Sequence, residues 1–199
     1  MTVSVMVFQM PNFGEVSNPF ISSELEVTIA QKGNQLDFPA DLWAVRTADT
    51  DSLVLSDWYI GPASNAPTGG EAGSIIQEAF LEPSAEIGQV TTSDEANIAL
   101  TNYLNAQYDD GNGAGKYVFF RVNKGDQNSF VYGWDAYVLK SSQAEDGEAT
   151  APEIKYTSVV DPMDLPEPEP ETEPTVPIGE NLIELSLIHI SEPTRPLYI

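Results

Sequence analysis

Trp58-Tyr59 and Tyr132-Gly133-Trp134 place pairs of aromatic side chains beside Gly-rich stretches. A flat aromatic face in such a setting offers CH contacts to a pyranose ring, while neighbouring Asn and Asp bond its hydroxyls. Trp58, Tyr59, Tyr132 and Trp134 are therefore the candidate carbohydrate-binding residues. Trp43 and Tyr137 belong to the same aromatic inventory, but Trp43 lies inside an apolar run and reads as core. The competing reading of the whole set is core packing.

A second chemistry is suggested by hard oxygen ligands on turn-forming segments. Asp49 and Asp51 lie in Ala-Asp-Thr-Asp-Ser, and Asp109, Asp110 and Asn112 lie in Asp-Asp-Gly-Asn-Gly. Calcium prefers such donors, although neither segment has a complete calcium-loop spacing. A structural calcium ion is the expectation, and ordinary acidic turns are its alternative. For two-carboxylate glycoside hydrolysis the available groups are Asp57, Asp126 and Asp135. No pair of them has an apolar setting that would raise one pKa, so the chain is expected not to be an enzyme. Arg121 and Lys124 near Asp126 read as a solvated strand end whose exposed ion pair is worth little.

The inventory narrows the chemistry further. The chain has no cysteine, and its single histidine, His189, lies in the last fifteen residues. That segment, Leu-Ser-Leu-Ile-His-Ile-Ser-Glu-Pro-Thr-Arg-Pro-Leu-Tyr-Ile, resembles the translation of a transposase-type sequencing-library adapter. The expectation is that residues 185–199 are adapter-derived and that the reading frame left its insert near Glu184. Without them, Ser-His-Asp and Cys-His triads, His-ligated zinc, iron–sulfur clusters and disulfides are excluded by composition.

The formal net charge is −23, from 31 acidic and 8 basic residues. Residues 161–184 hold eight of the acids and no Lys or Arg, so the excess extends well beyond that tract. A field of this sign repels phosphate backbones and anionic membrane surfaces, which argues against a nucleic-acid partner. No run approaches the roughly 18 apolar residues of a membrane helix, so no membrane insertion is expected for this stretch.

The elements that must position these residues are short and alternating. Val3 to Met10 reads as a buried strand, and Ser23 to Ala30 alternates Glu24, Glu26 and Thr28 with Leu25, Val27 and Ile29. That alternation is the mark of a half-buried strand in an antiparallel sheet. Further strands are expected at Ala40 to Arg46, Leu53 to Tyr59, Ile87 to Thr91, Lys116 to Asn123, Asp135 to Lys140 and Glu153 to Val159. Two helices are expected, a short one near Ser74 to Leu81 and a longer one from Ser93 to about Gln107. Thr92 and Glu95 form the capping box of the second. The fold class is therefore mainly β, an antiparallel, jelly-roll-like β-sandwich with one or two short helices. The sandwich occupies residues 1–160. Residues 161–184 form a Pro/Glu-rich linker that cannot build a core, which points to other domains of the same polypeptide as partners.

Three stretches carry a family likeness: Val5 to Pro11 with Leu25 to Ile29, Asp41 to Arg46, and Ala114 to Asn123. Together they resemble exported bacterial β-sandwich modules of the DNRLRE and carbohydrate-binding-module type, although the DNRLRE signature itself is not present. The resemblance implies a non-catalytic accessory or cell-surface module, extracellular, with a polysaccharide as its ligand. It also implies a strand before Val3. The alternative is a structural spacer or adhesin-like domain with no sugar ligand.

Overall fold

A computed structural model of the chain describes residues 4–33, 36, 38–58, 73–109, 113–124, 137–141 and 150–163. Among the described residues eight strands are formed: β1 Ser4–Gln9, β2 Phe20–Lys32, β3 Ala40–Ala48, β4 Ser74–Leu81, β5 Gly88–Thr91, β6 Tyr117–Lys124, β7 Tyr137–Leu139 and β8 Glu153–Ser158. One helix, α1, spans Asp94–Ala106 between β5 and β6. The first sheet has the order β1-β6-β3-β4 and the second β5-β2-β7, with β8 also paired to β2. Every pairing is antiparallel. The fold is thus mainly β, with two antiparallel sheets in a sandwich-like arrangement.

The long strand β2 organises the second sheet because its alternation is clean. Leu25, Val27 and Ile29 are fully buried, while Glu24 and Glu26 stay partly exposed on the other face. β5 pairs with Glu26 to Ile29 on one edge, and β8 and β7 share the opposite edge in succession. In the first sheet β6 supplies the centre. Val118, Phe120 and Val122 join Met6, Leu42 and Ala44 in the common core, so Phe119, Arg121 and Asn123 must face the other way.

Helix α1 packs against β2 through Ala96, Leu100 and Leu104, four residues apart and all buried. Asn105 adds a polar clamp. Its Oδ1 accepts from the Phe20 N–H at 2.9 Å and its Nδ2 donates to the Phe20 carbonyl at 3.0 Å, as a neighbouring strand would. Around that clamp Phe13, Phe20 and Tyr108 make edge and tilted ring contacts, and the Tyr108 hydroxyl donates to the Pro11 carbonyl at 2.6 Å.

Three sequence expectations are corrected. Ser74–Leu81 is strand β4 and not a helix. Ile76 and Phe80 lie four apart, a spacing that suits either element, and pairing with β3 decides for the strand. The strand expected at Leu53 to Tyr59 is not formed over its described residues, Leu53 to Trp58; Leu55–Trp58 is a single 3-10 turn. Leu53 and Val54, the apolar residues that suggested a strand, are 44% and 47% exposed. The α1 cap is Ser93, whose side chain accepts from the Ala96 N–H, and not Thr92. Thr92 is buried and committed elsewhere, accepting from the Leu25 N–H at 3.0 Å and bonding Asn97 at 2.5 Å.

Candidate functional site

The outer face of the first sheet, away from the common core, carries a buried polar cluster. Along β3 and β6 the register sets Asp41 beside Asn123, Trp43 beside Arg121 and Arg46 beside Phe119. The 3-10 turn brings Asp57 onto this face with a side chain 0% exposed. Arg46 grips it with two bonds, Nε to Oδ1 at 2.5 Å and Nη2 to Oδ2 at 2.7 Å. The Val54 N–H adds a third at 2.8 Å, and the Asp57 N–H returns to the Val54 carbonyl at 3.0 Å. These bonds explain why the segment turns: the Asp57 carboxylate satisfies backbone that a strand would have paired.

Both arginines serve the same centre. The Arg46 guanidinium stacks 3.7 Å from the Phe119 ring centroid and donates to the Ser52 carbonyl at 3.0 Å. Fully buried Arg121 donates through Nε to Asn123 Oδ1 at 3.0 Å and reaches the Asp57 carbonyl at 3.5 Å. Burial pushes the Asp57 carboxyl up, but the Arg46 bonds, the Val54 N–H and the charges of Arg46 and Arg121 outweigh it. The net direction is below the ordinary carboxylate value. Asp57 is thus a fixed anion that fastens the turn to the sheet, the reverse of a carboxyl kept protonated as a general acid.

Asp41, at the end of this face, moves the other way. Burial raises its pKa, the Ala79 N–H bond lowers it and the charge of Glu78 raises it again, for a net upward shift. Its Oδ1 accepts from Ala79 at 2.8 Å, and Ala79 sits at φ 49°, in the left-handed region that an alanine rarely adopts. Trp43 is 8% exposed, and its buried Nε1 has no hydrogen-bond acceptor among the described residues.

The aromatic candidates connect to this cluster at one point. Trp58 is the last residue of the 3-10 turn, directly after the clamped Asp57. Its side chain lies outside the described residues, as do Tyr59, Tyr132 and Trp134. The chain leaves the described region after Trp58 and returns at Gly73, where a Cβ would run into the Ala44 carbonyl. Both ends of the intervening segment are therefore fixed on β3, at Arg46 and at Ala44. Tyr137 is core, the competing reading of the aromatic set: it is buried, and its hydroxyl lies 3.1 Å from both the Phe38 and the Leu81 carbonyls.

Asp49, Asp51 and Asp109 are exposed, and Asp110 and Asn112 lie outside the described residues. Asp49, 88% exposed at its side chain, stands 3.9 Å from Lys116 Nζ. Among the described residues no group of three or more His, Cys, Asp or Glu side chains converges on a point. Asp126 and Asp135 are outside the described residues, and so is the side chain of Lys124. The reading of Arg121 as a solvated strand end is overturned, because Arg121 is fully buried. Sequence reasoning also passed over Arg46, Asp41 and Asn123. The available signal was a charged residue between apolar neighbours, as in Phe120-Arg121-Val122 and Ala40-Asp41-Leu42.

No protein-family model, curated protein or solved structure matches the chain.

Proposed function

We propose that this chain is a non-catalytic, extracellular β-sandwich module of a larger secreted or surface protein, and that it binds polysaccharide through Trp58, Tyr59, Tyr132 and Trp134. The observation that carries the reading is the rigid anchoring of Asp57, the residue immediately before Trp58, by Arg46 and Val54. A sugar-stacking ring needs a backbone fixed in advance, since every degree of freedom lost on binding weakens the complex. The net charge of −23 favours neutral over acidic glycans. A structural calcium ion held around Asp109, Asp110 and Asn112 or around Asp49 and Asp51 remains part of this proposal, and a rise in melting temperature with added calcium is its test.

Trp43 is buried, so a tryptophan response to a glycan is assigned by substituting Trp58 and Trp134. Binding to neutral polysaccharides should be lost in Trp58→Ala and Trp134→Ala variants that keep the wild-type melting temperature. The second reading, a spacer without a sugar ligand, is favoured by Trp43 and Tyr137, two members of the aromatic set that are core. It requires all three tryptophans to be insensitive to every glycan.

A further inference from the structure

The strand edges of the two sheets are not protected alike. Unpaired edges invite another strand, and proteins blunt them by charge, bulges or short length. β4 has register shifts and the left-handed Ala79, β5 is four residues long, and β8 carries Glu153 and Lys155. β1 has none of these devices. Its six residues, Ser-Val-Met-Val-Phe-Gln, hold no charge and no proline, and they pair with β6 without a register shift. The Met10 N–H donates to the Lys116 carbonyl, and the Met10 carbonyl accepts from the Gly115 N–H, both on the β6 side. By strand alternation the N–H and C=O groups of Val5, Val7 and Gln9 then point away from β6, to an edge that no strand pairs among the described residues.

Beside that edge the two sheets stand apart. A groove of about 470 Å³ lies between β1 and a far wall that includes Leu139 and Pro152. A second cavity of about 230 Å³ continues it past Phe8 towards Ile154 and Tyr156. From Ser4 to Pro11 the β1 wall is uncharged. The six strand positions of β1 cover roughly 20 Å at ~3.3 Å per residue, enough for one added strand.

We propose that the β1 edge and this groove receive an extended segment of a partner protein as an added β-strand, with apolar side chains at alternate positions and Lys or Arg at its flanks. Its backbone would pair with Val5, Val7 and Gln9, and its apolar side chains would fill the seam between the sheets. The basic flanks follow from charge complementarity with a chain of net charge −23 and with Glu153 on the wall of the second cavity, and they lie clear of Lys140 on the wall of the first. A second copy of this chain fits less well. Its own Met6 is buried and its Phe8 packs edge-on against Phe120 at 5.9 Å, so its β1 could pair but has no free side chain for the groove. Two such copies also repel.

The test uses the full chain and a synthetic peptide of alternating valine and threonine flanked by lysines. The expected result is saturable binding, at least tenfold slower hydrogen exchange at the Val5, Val7 and Gln9 amides, and loss of both when alternate peptide amides are N-methylated. Val7→Pro removes one edge donor while sparing the β6 ladder, and should weaken binding at least tenfold at an unchanged melting temperature. Glutamate flanks in place of lysine should also weaken it. Unchanged exchange at these amides in millimolar peptide overturns the proposal. So does a peptide-free dimer that protects the same three amides, which would make a second copy the occupant.

Discussion

Arg46 and Asp57 meet through two parallel hydrogen bonds, at 2.5 Å and 2.7 Å, with the carboxylate wholly buried. Such a pair gives geometric definition more than net stability, because desolvating both charges offsets much of their attraction. Removing one partner is another matter. Asp57→Asn should destabilise the fold by about 3 kcal/mol, since it leaves the Arg46 and Arg121 guanidiniums facing a neutral group. Urea unfolding of the variant checks this, and a loss of a few tenths would show that the centre is solvated.

The two buried carboxylates of this face should respond to pH with opposite signs. Asp57 lies below its ordinary value of 3.8, so its contribution is present above that value and fades as pH falls through the lower folded-state value. Asp41 lies above 3.8, so its contribution is fullest below that value and is lost as pH rises through the folded-state value. At neutral pH Asp41→Asn should therefore be neutral or stabilising, while Asp57→Asn is damaging. The Asp57→Asn penalty should shrink towards zero in strong acid. Unfolding curves of both variants between pH 2 and pH 7, on either side of that ordinary value, decide it.

Ala79→Gly should stabilise the protein. The alanine pays for its left-handed backbone at φ 49°, and glycine removes that strain while adding unfolded-chain entropy. The net gain should be about 0.5–1 kcal/mol by chemical denaturation. A loss of stability would mean that the Ala79 side chain contributes packing that outweighs the strain.

Asn105→Ala should cost about 2 kcal/mol, because it strips both partners from the Phe20 backbone at the α1–β2 contact. Asn105→Asp keeps the acceptor but loses the donor, and should fall between alanine and wild type. Equal effects of the two substitutions would assign the whole cost to the lost Nδ2 donor bond and none to the Oδ1 acceptor.

Much of the fold was legible because alternation survives where one face meets water. β2 is the clearest case: Leu25, Val27 and Ile29 announce the buried side before any contact is known. β4 was misread because Ile76 and Phe80 satisfy the helical and strand periods together. The 3-10 turn at Leu55–Trp58 was hidden for a different reason. It is made by Asp57 meeting Arg46, eleven residues away, and only tertiary structure shows that pairing. The same holds for Arg121, whose charge argued for solvent until the sheet placed it beside Asn123 and beneath Asp57. Trp58 draws attention in the sequence as an aromatic beside a Gly-rich stretch, whereas the anchoring of Asp57 just before it is not visible there.

The central claim is tested most directly by the tryptophan emission of the full chain, titrated with soluble neutral polysaccharides such as mixed-linkage β-glucan, xylan and galactomannan. The account predicts a saturable change with at least one of them, reduced in Trp58→Phe and in Trp134→Phe and intact in Trp43→Phe. Emission unchanged by every polysaccharide, from tryptophans that acrylamide also fails to quench, would contradict it and leave the module as a spacer.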